Sequence, residues 1–457
     1  MNKKGFTLME IIVVIALLGA IMLLVVPNIT KNFKDSKKRL FYDNVISLYS
    51  SAGRSFLLSG SQTGKTFSND GDALDAEVSA DVTYKIIINS FGEITSIYVS
   101  NGTYTYSKSG SNITKKDIKL EDVIEGTGDE DASAKVTLFD KLLEDNPTIS
   151  TRTDFSAPFT TNTANTLYKV TENGTDVYYF AGQDTESTPI NNWVKFAGFY
   201  WRIIRTNSDG SIRLLYHGTS TTAIDAYIGK SAFNTTTNSP KYVGYMYGNS
   251  DTTPEEARTN TNDSTIKTHI DNWYANNMTS YTKYLSTTAV YCNDREVGSG
   301  TYSATGSKFY YAAYTRLKTN KTPTYDCTND NDKFTVDAST GNGKLTYPIA
   351  LMTADEIAYA GGVANTTAPM WYYTNSSLES STGTQLWWSL SPNNWNGSST
   401  DSWGVIGSTD PGRLSYDFVH RSRGVRPVIS LKTCTLWTSG NGAPETPYEI
   451  VETSSGC

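Results

Sequence analysis

The chain has 457 residues, enough for two or three domains, and a formal net charge of -7, which leaves no basic footprint for nucleic acid. Only 19% of its residues are charged, whereas it holds 30 tyrosines and 9 tryptophans beside abundant Ser, Thr, Asn and Gly. That balance argues against a cytosolic enzyme and for an exported, β-rich, solvent-facing protein.

The first five residues form a short basic leader, with Lys3 and Lys4 ahead of Gly5. Phe6, Thr7, Leu8, Met9 and a single carboxylate, Glu10, come next, and then Ile11 to Val26 are all apolar or glycine. As a helix, Phe6 to Val26 would span roughly 30 Å, the thickness of a bilayer's hydrocarbon core. A cleaved secretory signal would need small residues after the apolar run; Val25-Val26-Pro27-Asn28 offers none. A plain anchor would leave Glu10 unexplained, because a carboxylate inside a membrane segment is costly and generally has a function.

The combination Lys3-Lys4-Gly5, Phe6-Thr7-Leu8-Met9-Glu10, an apolar helix and Pro27 resembles the N-terminus of type IV pilins and pseudopilins. The resemblance covers the first 30 to 55 residues. It implies that a prepilin peptidase cuts between Gly5 and Phe6 and methylates the new amine, and that Pro27 marks a kink in the helix. It implies further that the helix waits in the membrane and then joins other pilin subunits. In the filament Glu10 would neutralise the Phe6 ammonium of a neighbouring subunit, since an unpaired carboxylate in a dry bundle is far worse than a paired one. A positive leader before a large domain places the C-terminal bulk outside the cell, first membrane-anchored and then on an extracellular filament.

Beyond Pro27, Ile29 and Phe33 and then Phe41, Val45, Leu48, Ala52 and Phe56 recur at spacings of three and four, so the helix should continue over 6–58 with one apolar face. Residues 59–107 read as a small pilin head. Its expected strands are Val82–Ile88, Ile94–Val99 and Thr103–Ser107, with Asn101-Gly102 as the hairpin signal between the last two. Three strands alone would be marginal, so they should pack on the helix. Residues 108–165 read as a linker, acidic over Glu121–Asp131, with a short helix over Ala132–Leu143 that Asp145-Asn146-Pro147 stops.

The remainder, 166–457, is a large β-rich domain. Leu167–Val170 and Val177–Phe180 flank a second hairpin signal, Asn173-Gly174. Trp193–Ile204 and Ser211–Tyr216 read as strands joined at Asn207–Gly210, and Ser264–Asn277 as a helix burying Ile266, Ile270, Trp273 and Met278. Thr353-Ala-Asp-Glu356 is a capping box, and Gly361-Gly362 ends its helix. Trp387–Pro392 and Gly424–Leu431 are late strands. The stretches Phe199–Ile204, Leu351–Glu356, Trp387–Leu390 and Gly424–Pro427 resemble an uncharacterised bacterial surface family related to C-type-lectin-like and formylglycine-generating-enzyme-like folds. The whole is therefore expected to be α+β: a long pilin helix on a small antiparallel sheet, then a C-type-lectin-like domain.

Cys292, Cys327, Cys434 and Cys457 all fall in this last segment, and four cysteines allow three pairings. Sequence proximity favours Cys292 with Cys327 and Cys434 with Cys457. No cofactor or metal motif accompanies them. His217, His269 and His420 are scattered, so the domain is not expected to be an enzyme, although a Cys292–His269 pair is one alternative. Asp326–Asp332 is oxygen-rich but lacks the glycine and final glutamate of a calcium loop. Among the aromatic clusters Trp371–Tyr373, Trp387-Trp388, Trp395 and Trp403, the last two sit amid Asn, Ser, Gly and Asp. The clusters as a whole read as core, as such large residues usually are, and these two are the better candidates for exposure and for stacking on a glycan. Arg421, Arg423 and Arg426 could hold an anion, with a structural role favoured for Arg426. The expected function is a minor or tip pilin presenting an adhesive or ligand-binding head. The alternatives are a pseudopilin of a secretion or DNA-uptake machine with a structural cap, or an exported enzyme on a pilin-like stem.

Overall fold

The computed structural model describes the backbone of residues 8–452, apart from 61–63, 90–91, 111, 127–135, 162–164, 185–188, 224–225, 374–385 and 408–409. Side chains are described from residue 34 onward, with the same gaps. The chain divides into two compact units, Met1–Val136 and Thr137–Cys457.

In the first unit, helix α1 runs Leu8–Ser59 and stays helical through Pro27. The face expected from the spacing is buried: Phe41, Val45, Leu48, Ala52 and Phe56 are each 6% exposed or less. It packs on an antiparallel sheet of β1 (Lys65–Ser68), β2 (Thr83–Ile88), β3 (Ile94–Ser100), β4 (Tyr104–Ser109) and β5 (Ile124–Glu125), hydrogen-bonded in that order. Strand β2 alternates strictly, burying Tyr84, Ile86 and Ile88. At the β3–β4 turn the Asn101 side-chain oxygen accepts from the Thr103 and Tyr104 amides, and Gly102 takes a φ of +78°. Glycine adopts that left-handed conformation without a Cβ penalty.

The expected linker 108–165 is shared between the two units. Ile113, Ile118 and Val123 are buried in the first core, where the Tyr42 hydroxyl donates to the Ile118 carbonyl at 2.9 Å. From Thr137 onward the chain belongs to the second unit. There α2 (Leu138–Asp145) is capped by the Thr137 hydroxyl and buries Leu138 and Leu142 in the main core of the head. Polar composition suggested a linker, but apolar residues spaced through it supply both cores.

The head holds a ten-stranded sheet. Its backbone order begins with β6 (Thr148–Thr151), β7 (Thr166–Glu172), β8 (Thr175–Tyr179) and β10 (Phe199–Thr206), with β9 (Trp193–Phe196) also pairing β10. Strand β6 adds in parallel at the edge. Asn173 and Gly174, at φ +50° and +82°, form the two-residue turn of β7–β8, the geometry this dipeptide favours. The next strand, β11 (Ile212–Gly218), is buried at every position, as is most of β10, so both faces of the sheet's centre are covered. Helix α3 (Thr265–Asn277) has Ser264 as its cap and buries Ile266, Ile270 and Tyr274.

A second sheet of seven strands includes β12 (Phe309–Tyr311), β14 (Trp387–Trp395), β15 (Thr400–Val405) and β16 (Leu414–Phe418). Strand β13 (Ile349–Leu351) instead pairs with β17 (Pro427–Leu431), which extends the ten-stranded sheet beyond β11. The late strand expected over Gly424–Leu431 is split: Arg423–Gly424 joins the seven-stranded sheet and β17 the other. Between them Arg426 is fully buried and donates to the carbonyls of Tyr216 and Tyr372.

Candidate functional sites

The assembly residues named from the sequence fall at the start of α1. Gly5 and Phe6 lie outside the described residues; Glu10 and Pro27 lie on the helix, in the part whose side chains are not described. Among the described residues no helix is long and apolar enough to cross a membrane.

In the head the structure brings together residues that sequence reasoning left apart. Glu356, the closing residue of the capping box on α4 (Ala354–Tyr359), returns one oxygen to the Thr353 amide at 2.9 Å. Its other oxygen accepts from Arg205 at 2.9 Å and Arg213 at 2.6 Å. Arg205 also reaches Glu172 at 2.9 Å, and all four charged groups are buried. Burial opposes charge on Glu356, but Arg213 and Arg205 outweigh it and hold its carboxyl below the usual range. Glu172 is held low in the same way, against burial, first by Arg205. Arg202 bonds Asn192 at 2.6 Å and Asp184 at 2.9 Å and lies over the Trp193 ring at 4.0 Å. Arg295 pairs with Asp332, and Arg316 forks onto Asp355. Taking such charges out of water is tolerable only when each is paired and hydrogen-bonded. The arginines inside the apolar run Trp201-Arg-Ile-Ile-Arg205 were the available signal.

The calcium alternative meets a different use of its loop. Asp332 accepts from the Arg295 amide and guanidinium, Asp330 pairs with Lys333, and Asp326 accepts from the Asn173 amide. Cys292 is joined to Cys327 with Cα atoms 5.8 Å apart, which consumes the thiol that a Cys292–His269 nucleophile would need. Cys434 is also disulfide-bonded; Cys457 lies outside the described residues. His217 is fully enclosed against Trp193. Burial first, then the neighbouring Arg426 and Arg202, hold its imidazole well below the ordinary value and so neutral. His269 is only partly covered, and His420 is exposed, stacked on Phe418.

Trp395 and Trp403 are not exposed, contrary to expectation: they are 2% and 0% accessible. Their polar neighbours Asn393, Asn394, Thr400 and Ser402 are buried too, because β14 and β15 are inner strands covered on both faces. Trp395 sits opposite Phe309 in the core, and Trp403 lies between Tyr314 and Tyr416. Trp371–Tyr373 and Trp387-Trp388 are core residues as well. Of the three arginines weighed as an anion site, Arg423 forks onto Asp417, Arg421 contacts the same carboxylate at 3.3 Å, and Arg426 is spent on carbonyls.

No curated protein and no solved structure matches this chain. The family model of the prokaryotic N-terminal methylation motif matches residues 1–26. That motif implies processing by prepilin peptidase and assembly with other pilins, and is consistent with a type IV pilin-like or pseudopilin-like N-terminus.

Proposed function

We propose that the chain is a minor or tip subunit of a pilin-like filament, and that its head is a non-enzymatic, C-type-lectin-like scaffold presenting a ligand-binding surface outside the cell. The size of the cargo carries this reading. The unit from Thr137 to Cys457 is far larger than the helix-and-sheet unit Met1–Val136. A head so bulky suits a low-copy or terminal position better than close repetition along a shaft. The disulfide fits an oxidising, extracytoplasmic location. A structural cap on a pseudopilin is the second reading, favoured by the cross-bracing of the head with buried ion pairs.

Intact mass of the membrane-extracted protein, co-expressed with its peptidase, tests the processing step. Loss of Met1 to Gly5 and a methyl group on Phe6 are expected; a chain still carrying Met1 would remove the filament argument. Immunogold labelling separates the positional readings. Gold confined to filament ends or sparse points supports the tip or minor role, and even decoration of whole filaments sinks it.

A further inference from the structure

Helix α1 carries one row of positions, three and four apart, whose character changes along its length. From Phe41 through Val45, Leu48 and Ala52 to Phe56 the row is apolar and lies in the core of the first unit. Positions at this spacing share a helix face. Continued toward the N-terminus, the same row reaches Lys38 and then Lys34, and Lys31 keeps the interval in the sequence. Contacts with the sheet are polar at this level. The Tyr104 hydroxyl of β4 donates to the Lys34 carbonyl at 3.2 Å, and Glu125 of β5 lies 3.4 Å from the Lys34 ammonium.

Lys37 and Arg39 flank the row, so Lys31 to Arg39 holds five cations and one carboxylate, Asp35. That is a net +4 within a chain of net -7, and the remainder therefore carries -11. Lys34, Lys37 and Arg39 are exposed and Lys38 is partly so. Lys38 and Arg39 have no carboxylate within ion-pair distance among the described residues, and the Lys34–Glu125 pair is more than half exposed on both sides. Such surface pairs hold a charge only weakly.

We propose that this basic collar is a docking surface for the anionic headgroups of phospholipids, on the membrane face from which the head emerges. Its position carries the choice of occupant. The apolar run ends at Val26, so along a helix Lys31 lies about 7.5 Å beyond it and Lys34 about 12 Å. The headgroup layer is roughly 5–8 Å deep on each side. Lys31 thus falls at that layer and Lys34 within one screening length, about 8–10 Å, of its outer edge. Helical side chains lean toward the N-terminus, here toward the bilayer, and long lysine arms extend that reach. A nucleic acid or an acidic protein would match the charge, but only a lipid surface is placed beside it by the apolar run. Bound in this way, the collar sets how far the subunit stands out of the bilayer before assembly. The proposal rests on the reading of the N-terminal segment as a membrane anchor.

The test is amine acetylation of the full-length protein, read by mass spectrometry, in nanodiscs of phosphatidylcholine alone and of phosphatidylcholine mixed with phosphatidylglycerol. Exposed Lys318 of the head serves as the internal reference. Only the neutral amine reacts, and a headgroup phosphate holds a lysine charged and covered. Labelling of Lys34, Lys37 and Lys38 should slow about threefold or more in the anionic discs, and the difference should vanish in about 1 M salt, where screening shortens to about 3 Å. In the double variant Lys34→Gln with Lys38→Gln, the protection of Lys37 should fall below about twofold. Unchanged hydrogen exchange in β2 and β3 would show that this variant folds. Equal labelling in both discs overturns the collar and leaves the anchor standing, whereas failure to enter either disc overturns the anchor reading and the proposal with it. Protection that follows protein concentration in both discs gives the face to a second copy, and protection only by added duplex DNA gives it to nucleic acid; either result overturns the lipid assignment.

Discussion

The two units hold together by different means. The first is a helix face against a sheet face. Its core is almost entirely aliphatic and aromatic, and its few buried polar residues, such as Asn44, Ser51 and Ser96, are uncharged. The head buries Arg202, Arg205, Arg213, Arg295 and Arg426, with Glu172, Glu356 and Asp332 among their neighbours. Apolar burial is non-directional, so the first core needs only the right periodicity. Buried charge is directional and severe when mispaired, so the head depends on partners that meet only when the chain is fully folded. Arg205 and Glu356 are separated by 151 positions.

All nine tryptophans fall in the head, so tryptophan fluorescence reports its unfolding and leaves the first unit silent. Glu356→Ala should have the largest effect. It strands Arg213, leaves Arg205 with Glu172 alone, and should destabilise the head by about 3–5 kcal/mol, seen as an early fluorescence transition in denaturant. If the loss is below ~1 kcal/mol, the head does not depend on its ion network. Removing the Cys292–Cys327 bridge by Cys292→Ser opens a closed loop of 35-residue separation and should cost the head about 3–4 kcal/mol. Leu48→Ala in the first unit should cost about 3 kcal/mol through the cavity it leaves. The tryptophan transition should stay in place while hydrogen exchange in β2 and β3 accelerates. A concerted shift of both signals would show that the units do not unfold independently.

The smallest expected effect is a pH dependence. Burial pushes the Asp401 carboxyl up to about 6 from 3.8, with Asn394 opposing. The folded chain therefore holds that proton more tightly than the unfolded chain. The group's contribution to stability is complete below about pH 4 and is lost as pH rises through about 6. Asp401→Asn should accordingly stabilise the head at pH 7.5 by about 1–2 kcal/mol, the full shift being offset in part by the altered Asn394 bond, and should be neutral at pH 4. A pH-independent change in the denaturation midpoint would show that burial does not keep the carboxyl protonated.

Local pattern made much of the first unit legible. Residues three and four apart identified the buried face of α1, the run Val82–Ile88 read as the strand that became β2, and Asn101-Gly102 placed a hairpin. In the head, Asn173-Gly174, the helix over Ser264–Asn277 and the Thr353/Glu356 box were equally readable, because turns, caps and helical spacing are decided by residues within four positions of one another. The Cys292–Cys327 pairing followed from proximity along the chain. The acidic, Ser/Thr-rich stretch 108–165 misled because composition does not show where its scattered apolar residues dock.

By itself, then, the sequence determined the N-terminal motif, the helix and its buried face, the tight turns and the caps, all of which rest on short-range stereochemistry. Only the tertiary structure decided that Trp395 and Trp403 are covered, that Glu356 pairs with two arginines, and that Tyr310, Asp401 and Tyr416 share one face. Those facts depend on strand register and on which layers close over a sheet. Both are set by side chains tens to hundreds of positions apart that must exclude water and pair charge together.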